Sequence, residues 1–258
     1  MKVGAWAESS VFKDPSRDLD AALACGLSEL GCVVNNAYKN KSWHLLAPHK
    51  KIETAVRLFH DAGLEVSLMT WVVPSLGWAN GMLTDLFPLA AALPVWAVED
   101  DIEEPWTRAR TKGAREEYAA HMRSHRAYSR DFARGANAIV YTPHDKFGLV
   151  AADADYVCAQ AYGTNRWKGQ HLFPGRIQKT ALRLWEPRYG ARRCRRVMGV
   201  PAYRLKGAGG HSTQRAMTLQ LDACRDIGVE LARFWSLRHL RGSEAKTRWV
   251  RDWVRANS

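Results

Sequence analysis

The sequence predicts a single (β/α)8 barrel, and three observations carry that expectation. Short apolar, β-branched or aromatic stretches alternate with amphipathic helical stretches along the whole chain, the pattern that builds a parallel sheet. About eight such units in roughly 250 residues match this barrel's usual size. The 258 residues are 47% hydrophobic, enough for one substantial core, and no Ser/Gly/Pro-rich linker divides them. One catalytic domain spanning 1–258 follows. A doubly wound open sheet fits less well. It favours a glycine-rich turn after the first strand, whereas here Ala5-Trp6-Ala7-Glu8-Ser9-Ser10 contains no glycine.

Each element has its own justification. Residues 3–7 read as the first strand, and 19–30 as a helix with apolar residues at helical spacing. Residues 33–38 form the second strand, and 52–62 a helix closed by Gly63. The third strand, 66–73, is β-branched and aromatic. Residues 83–93 are helical despite Pro88, and 95–102 make the fourth strand. A long polar helix at 116–132 precedes a fifth strand at 138–142. Residues 145–152 leave room for only a short helix before a sixth strand at 156–162. Residues 177–185 are helical and 197–203 form the seventh strand. Gly207-Ala208-Gly209-Gly210 reads as a flexible loop rather than a nucleotide motif. A helix at 213–227 ends at Gly228, and 230–235 is the eighth strand. Residues 244–254 close the chain as a helix with Trp249, Val250, Trp253 and Val254 on one face.

Composition narrows the function classes. The longest apolar run, 86–98, is broken by Pro88 and Pro94, so no transmembrane segment is expected. The acid at Glu8 comes too early for a signal-peptide core. The expectation is cytoplasmic synthesis without a signal peptide, with any action on a cell wall following release by another agent. Cys25, Cys32, Cys158, Cys194 and Cys224 lack metal-type spacing and read as buried free thiols. Nothing suggests a cofactor or a bound metal, although Glu99, Asp101 and Glu103 could in principle hold a hard cation with help from His44, His49, His144 or His211. The net charge of +12 and the arginines at 183, 188, 192, 193, 195 and 196 suit an anionic polymer. An acidic wall polysaccharide is the favoured partner and nucleic acid the disfavoured one. A nucleic-acid role would need the basic residues and the acidic cluster to share one groove with a divalent ion.

The chemistry concentrates at Val98-Glu99-Asp100-Asp101-Ile102-Glu103-Glu104, where an apolar strand turns into acids. On a strand, Glu99, Asp101 and Glu103 point to one face and Asp100 to the other. Crowded carboxylates raise one another's pKa, which keeps a proton available near neutrality. In such a barrel, chemistry sits at the C-terminal strand ends. The other ends offer Glu8, Asn35, Asn36, Tyr38, Thr70, Trp71, Tyr141, His144, Gln160, Tyr162, Tyr203, Arg233 and Trp235. Acids, amides and flat rings are the equipment of a carbohydrate site, and Trp6, Trp71 and Trp235 are the tryptophans expected in the cleft.

This pattern resembles the chitinase-like family-18 glycoside hydrolases. That family carries Asp-x-Asp-x-Glu at the end of its fourth strand, and Glu99-Asp100-Asp101-Ile102-Glu103 has the spacing with Glu in first place. Gln160-Ala161-Tyr162 is similar to the family's sixth-strand element, and Trp235 to its eighth-strand tryptophan. Gly163 departs from the acid or amide that usually follows the tyrosine. The resemblance implies that Glu103 is the general acid and that Asp101 orients the substrate's acetamido group. It also implies that Tyr162 donates to that group, that Glu99 shares a proton with Asp101, and that Gln160 positions substrate or water. Asn35, Tyr203, Trp6, Trp71 and Trp235 would line the substrate path. Asp101-Ile102-Glu103 equally resembles the Asp-x-Glu of lysozyme-like family-25 barrels, in which case Glu8 could be a partner carboxylate. The implied activity is cleavage of a polymer of N-acetylated amino sugars, with peptidoglycan favoured over chitin and a phage-type lysis enzyme as the implied context. A non-catalytic carbohydrate-binding barrel is the alternative, and the retained Glu103 speaks against it.

Overall fold

The computed structural model describes residues 1–35, 42–107, 112–126, 131–139, 142, 144–162, 174–189, 195–203 and 213–258. Asn36, Tyr38, Tyr141, Cys194, His211 and the glycine run at 207–210 lie outside the described residues, as does the side chain of His144.

Eight strands form the closed barrel: β1 (Lys2–Ala7), β2 (Glu29–Val33), β3 (Glu65–Trp71), β4 (Ala97–Asp101), β5 (Ala133–Ile139), β6 (Tyr156–Gln160), β7 (Val197–Pro201) and β8 (Leu231–Trp235). Each pairs in parallel with the next, and β8 returns to β1. The helices, in chain order, are α1 (Pro15–Ala24), α2 (His49–Asp61), α3 (Leu76–Gly81), α4 (Phe87–Ala91), α5 (Glu104–Thr107), α6 (Lys112–Ser124), α7 (His144–Ala151), α8 (Arg176–Tyr189), α9 (Gln214–Asp226), α10 (Leu237–Arg241) and α11 (Glu244–Asn257). The expected (β/α)8 fold is therefore the observed one.

Local boundaries depart from expectation where tertiary contacts overrule pattern. The first helix ends at Ala24 rather than residue 30, because Gly26 takes a left-handed φ of 69° and turns the chain. Its start is set by Asp14, whose carboxylate accepts from the Arg17 backbone N–H at 3.2 Å, with Pro15 in the first turn. The second strand is thus Glu29–Val33 and not 33–38. An acid in that strand looks out of place until the barrel closes and supplies its partner, Arg233. The fifth strand is Ala133–Ile139, five residues earlier than expected. Its sequence, Ala-Arg-Gly-Ala-Asn-Ala-Ile, has low strand propensity, and pairing on both sides makes it a strand. Pro88 is accommodated because a π-helical turn, Met82–Leu86, precedes it and places it in the first turn of α4.

Apolar residues form two shells. The outer one lies between strands and helices and includes Phe59, Trp78, Phe87, Trp106 and Phe147. The inner one fills the barrel with Trp6, Val33, Met69, Tyr156, Cys158, Val197 and Leu231. Inward-facing glycines make room for large groups there. A Cβ on Gly31 would meet Trp6 Cδ1 at 2.8 Å, and one on Gly199 would meet Trp6 Cη2 at 2.9 Å. Cys25, Cys32, Cys158 and Cys224 are buried free thiols. Burial pushes the Cys25 thiol up to about 11.

Candidate active site at the barrel mouth

The alternation along β4 divides the acidic run as expected. Asp100 points outward beneath the helices and pairs with Arg134 at 2.7 Å. Glu99 and Asp101 point inward, at two different heights.

Glu99 belongs to the lower level. It is wholly buried, as are Glu29 and Arg233. The Arg233 guanidinium donates from Nη2 to Glu29 Oε1 at 2.7 Å, from Nε to Glu29 Oε2 at 3.0 Å, and from Nη1 to Glu99 Oε1. Ser67 Oγ accepts from Arg233 at 3.1 Å and donates to Glu29 Oε1 at 2.8 Å. The guanidinium also lies 5.5 Å from the Trp6 ring and 5.4 Å from the Trp96 ring. The other oxygen of Glu99 accepts from Asn137 Nδ2 at 3.1 Å. This corrects the expectation that Glu99 shares a proton with Asp101: its oxygens face Arg233 and Asn137 instead. Trp6 is likewise corrected. It is 0% exposed and fills the barrel interior beneath Trp235, 5.9 Å between ring centroids, so it presents no face to a cleft.

Asp101 stands one level higher and is 1% exposed. Its Oδ1 accepts from Gln160 Nε2 at 2.9 Å. Its carboxyl is held well above the usual carboxylate range, first by burial and then by the negative charges of Glu103 and Glu99, while hydrogen bonds from the Trp71 and Gln160 side chains oppose the rise. Trp71 is the register partner of Asp101 on β3. Asn35, at the end of β2, braces that edge by accepting the Trp71 backbone N–H at 2.9 Å. Glu103 lies two residues past the end of β4 and is half-buried, and its carbonyl accepts the Thr107 N–H at 2.9 Å. It acts electrostatically on both Asp101 and Tyr162.

Tyr162 is buried against Tyr203 and Trp235. Its phenol is pushed far above its ordinary value by burial, with the charges of Asp101 and Glu103 adding to the effect. Tyr203 stacks on His239, 5.1 Å between centroids. The peptide bond between Trp235 and Ser236 is cis. Glu8 closes the far side of the mouth. Its Oε1 accepts from Ser236 Oγ at 2.8 Å, and its Oε2 lies 3.3 Å from Arg238.

The structure thus brings together Asp101, Glu103, Gln160, Tyr162, Tyr203, Trp71 and Trp235. It sets Glu99 and Trp6 below them and commits Glu8 to the β8 loop. Sequence reasoning missed Asn137, which accepts from Gln160 Nε2 at 2.6 Å, because the fifth strand was placed too late. It also missed Glu29 and Ser67, and assigned no role to Arg233. The signal for these was a lone acid and a lone arginine within otherwise apolar strands. Among the described residues, no group of three His, Cys, Asp or Glu side chains is arranged to hold a metal ion. His49 pairs with Asp85.

No protein-family profile and no curated protein matches the chain. Solved structures do. A family-18 chitinase from Flavobacterium johnsoniae superposes with a TM-score of 0.66 at 12% identity, over 97% of this chain and 93% of that one. A family-5 glycoside hydrolase from Streptomyces cattleya in complex with GlcNAc gives 0.68 at 13% identity, over 98% and 79%. A xylanase and α-amylase inhibitor protein from Scadoxus multiflorus gives 0.64 at 13% identity, over 97% of each chain. These likenesses show the fold, a (β/α)8 barrel shared by glycoside hydrolases of different families and by an inhibitor protein.

Proposed function

We propose that this chain is a glycoside hydrolase cleaving a polymer that contains N-acetylated amino sugars, with peptidoglycan as its foremost substrate. The observation that carries this reading is the pair Asp101 and Glu103 at the end of β4. They are close enough for the charge of Glu103 to raise Asp101, and both act on Tyr162 beside Tyr203 and Trp235. Glu103 protonates the glycosidic oxygen. The substrate's acetamido oxygen attacks the anomeric carbon as the glycosidic bond breaks, and water later opens the cyclic intermediate. Asp101, steadied by Gln160, orients the acetamido group, and Tyr162 donates a hydrogen bond to it. Trp235 and Tyr203 offer flat faces to the sugar rings, with Trp71 beside Asp101. This substrate-assisted route is favoured over a two-carboxylate scheme because Glu8 is engaged by Ser236 and Arg238.

The net charge of +12 supports an acidic wall polymer over chitin. Arg195 and Arg196 contribute less than their number suggests, since they pair with Glu65 at 2.9 Å and Glu186 at 2.7 Å. In this reading the protein is made in the cytoplasm and meets the wall after release, as a lysis enzyme does. The likeness to an inhibitor protein supports a second reading, a barrel that binds carbohydrate or an enzyme without cleaving sugar.

Loss of turbidity of purified peptidoglycan, and release of reducing ends from chitin oligomers, would be measured for the wild type and Glu103→Gln. Removing a general acid lowers the rate by roughly 10²–10⁴-fold. Equal rates would remove Glu103 from the mechanism. Inactivity of the wild type on both polymers, with binding retained, would favour the second reading.

A further inference from the structure

A hydrogen-bonded chain climbs from the barrel interior to the mouth. Arg233 Nη1 donates to Glu99 Oε1. Asn137 Nδ2 donates to Glu99 Oε2 at 3.1 Å. Gln160 Nε2 donates to Asn137 Oδ1 at 2.6 Å and to Asp101 Oδ1 at 2.9 Å. Glu99, Asn137, Asp101 and Gln160 are all buried.

Every direction in this chain follows from the one before it. A carboxylate only accepts, whereas an amide has one accepting end and one donating end. Glu99, with its charge balanced by Arg233, draws the NH2 end of Asn137. That leaves the Asn137 carbonyl facing Gln160, so Gln160 must turn its own NH2 inward. The same NH2 reaches Asp101, and Gln160 Oε1 is left buried without a hydrogen-bond partner among the described residues. We infer that Arg233 is a positioning residue for the mouth: by holding Glu99 as an acceptor it fixes the orientation of Asn137 and Gln160, so that Asp101 is met by a donor and not by a carbonyl oxygen. The catalytic consequence rests on the role proposed for Asp101, while the orientation itself does not.

The groups facing Asp101 set the terms of a test. Glu99 and Glu103 act from its own strand and the segment after it, Cys158 and Tyr162 from β6 and its end, and Trp71 from β3, with Arg233 and Glu29 beyond Glu99. Glu99→Gln keeps the shape of the side chain. Gln at 99 must give its carbonyl to Arg233, so its NH2 meets Asn137. Asn137 and Gln160 then turn over, and Gln160 presents Oε1 to Asp101, a contact that holds only while Asp101 keeps its proton. Removing the charge at 99 without that reversal would ease ionisation of Asp101. The two effects have opposite signs.

Carboxyl-carbon NMR titration of Asp101 in the folded full chain, assigned with Asp101→Asn, reads the sign. The expected result is a shift of the Asp101 titration to higher pH in Glu99→Gln. In a Gln160→Met background, where the last link is cut, the same change should shift it to lower pH. A downward shift or none in the unaltered background overturns the inference. A second measurement needs no substitution at 99: the Gln160 NH2 protons should couple across a hydrogen bond to the Asp101 carboxyl carbon. Coupling of the Asn137 NH2 to the Gln160 carbonyl would overturn the inference instead. Failure of the Glu103→Gln activity test would remove the hydrolase reading and leave these spectra unchanged.

Discussion

Arg233→Met is the most demanding perturbation of this molecule. The side chain is fully buried, donates to Glu29, Glu99 and Ser67, and lies near the rings of Trp6 and Trp96. Methionine retains much of the apolar stem but leaves two carboxyl groups without their cation. Breaking a buried ion pair by removing one partner costs about 3–5 kcal/mol, because the remaining charge stays desolvated. For a chain of this size that corresponds to a fall in melting temperature of roughly 10 °C. The loss should depend on pH. Burial already holds the Glu29 carboxyl above its unfolded value of about 4.3, and without the Arg233 cation the main opposition to that rise is gone in the folded variant. The folded variant then binds protons more tightly than the unfolded chain, so its stability falls as pH rises above that value. The deficit is greatest at neutral pH and shrinks towards pH 4. Urea denaturation followed by circular dichroism at pH 7 and pH 4.5 measures both quantities. Replacing the whole trio as Glu29→Gln, Arg233→Met and Glu99→Gln should recover much of the stability, since no charge remains buried. A penalty below about 1 kcal/mol, or one of equal size at both pH values, would refute the account of Arg233 as the neutralising centre of the barrel.

Three further outcomes follow from the same structure. Asp101→Asn should raise thermal stability at pH 7, because the wild-type carboxyl is held above its ordinary range by burial and so destabilises the fold as pH rises through that range. Melting curves of the two proteins should converge below about pH 3.9, and a wild type more stable at pH 7 would contradict this. Gly199→Ala should cost about 1–3 kcal/mol in denaturant titration, since its Cβ would sit 2.9 Å from Trp6 Cη2 and 3.3 Å from Gln160 Cα. Gly63→Ala and Gly77→Ala form a control pair, both with open space around the new methyl group. The first should lose about 1 kcal/mol because φ is 87°, whereas the second, inside α3, should gain about 0.5–1 kcal/mol.

Much of the fold was legible in the chain because its evidence is local. The alternation of apolar strands and amphipathic helices implied the barrel, and Gly63 and Gly228 marked helix ends where φ is indeed left-handed. The period of two along β4 separated Asp100 from Glu99 and Asp101, since side-chain alternation is a property of any strand. Gln160, Tyr162 and Trp235 could be named from their places near strand ends. What pattern could not supply was the identity of partners distant in sequence. Glu29 read as helical because the preceding apolar spacing ran on. It is a strand residue because Arg233, 204 positions later, closes on it when the barrel forms. Asn137 was invisible for a similar reason: its strand has little intrinsic preference and is held by neighbours on both sides. Trp6 and Glu99 were assigned to the cleft by their proximity to strand ends, but depth inside a barrel is set by how all eight strands stagger. The chain alone therefore determined the architecture and the acidic strand end that carries the proposed chemistry. Only closure decided which acids are held below by Arg233 and which are left at the mouth, because burial and charge pairing are properties of the assembled interior.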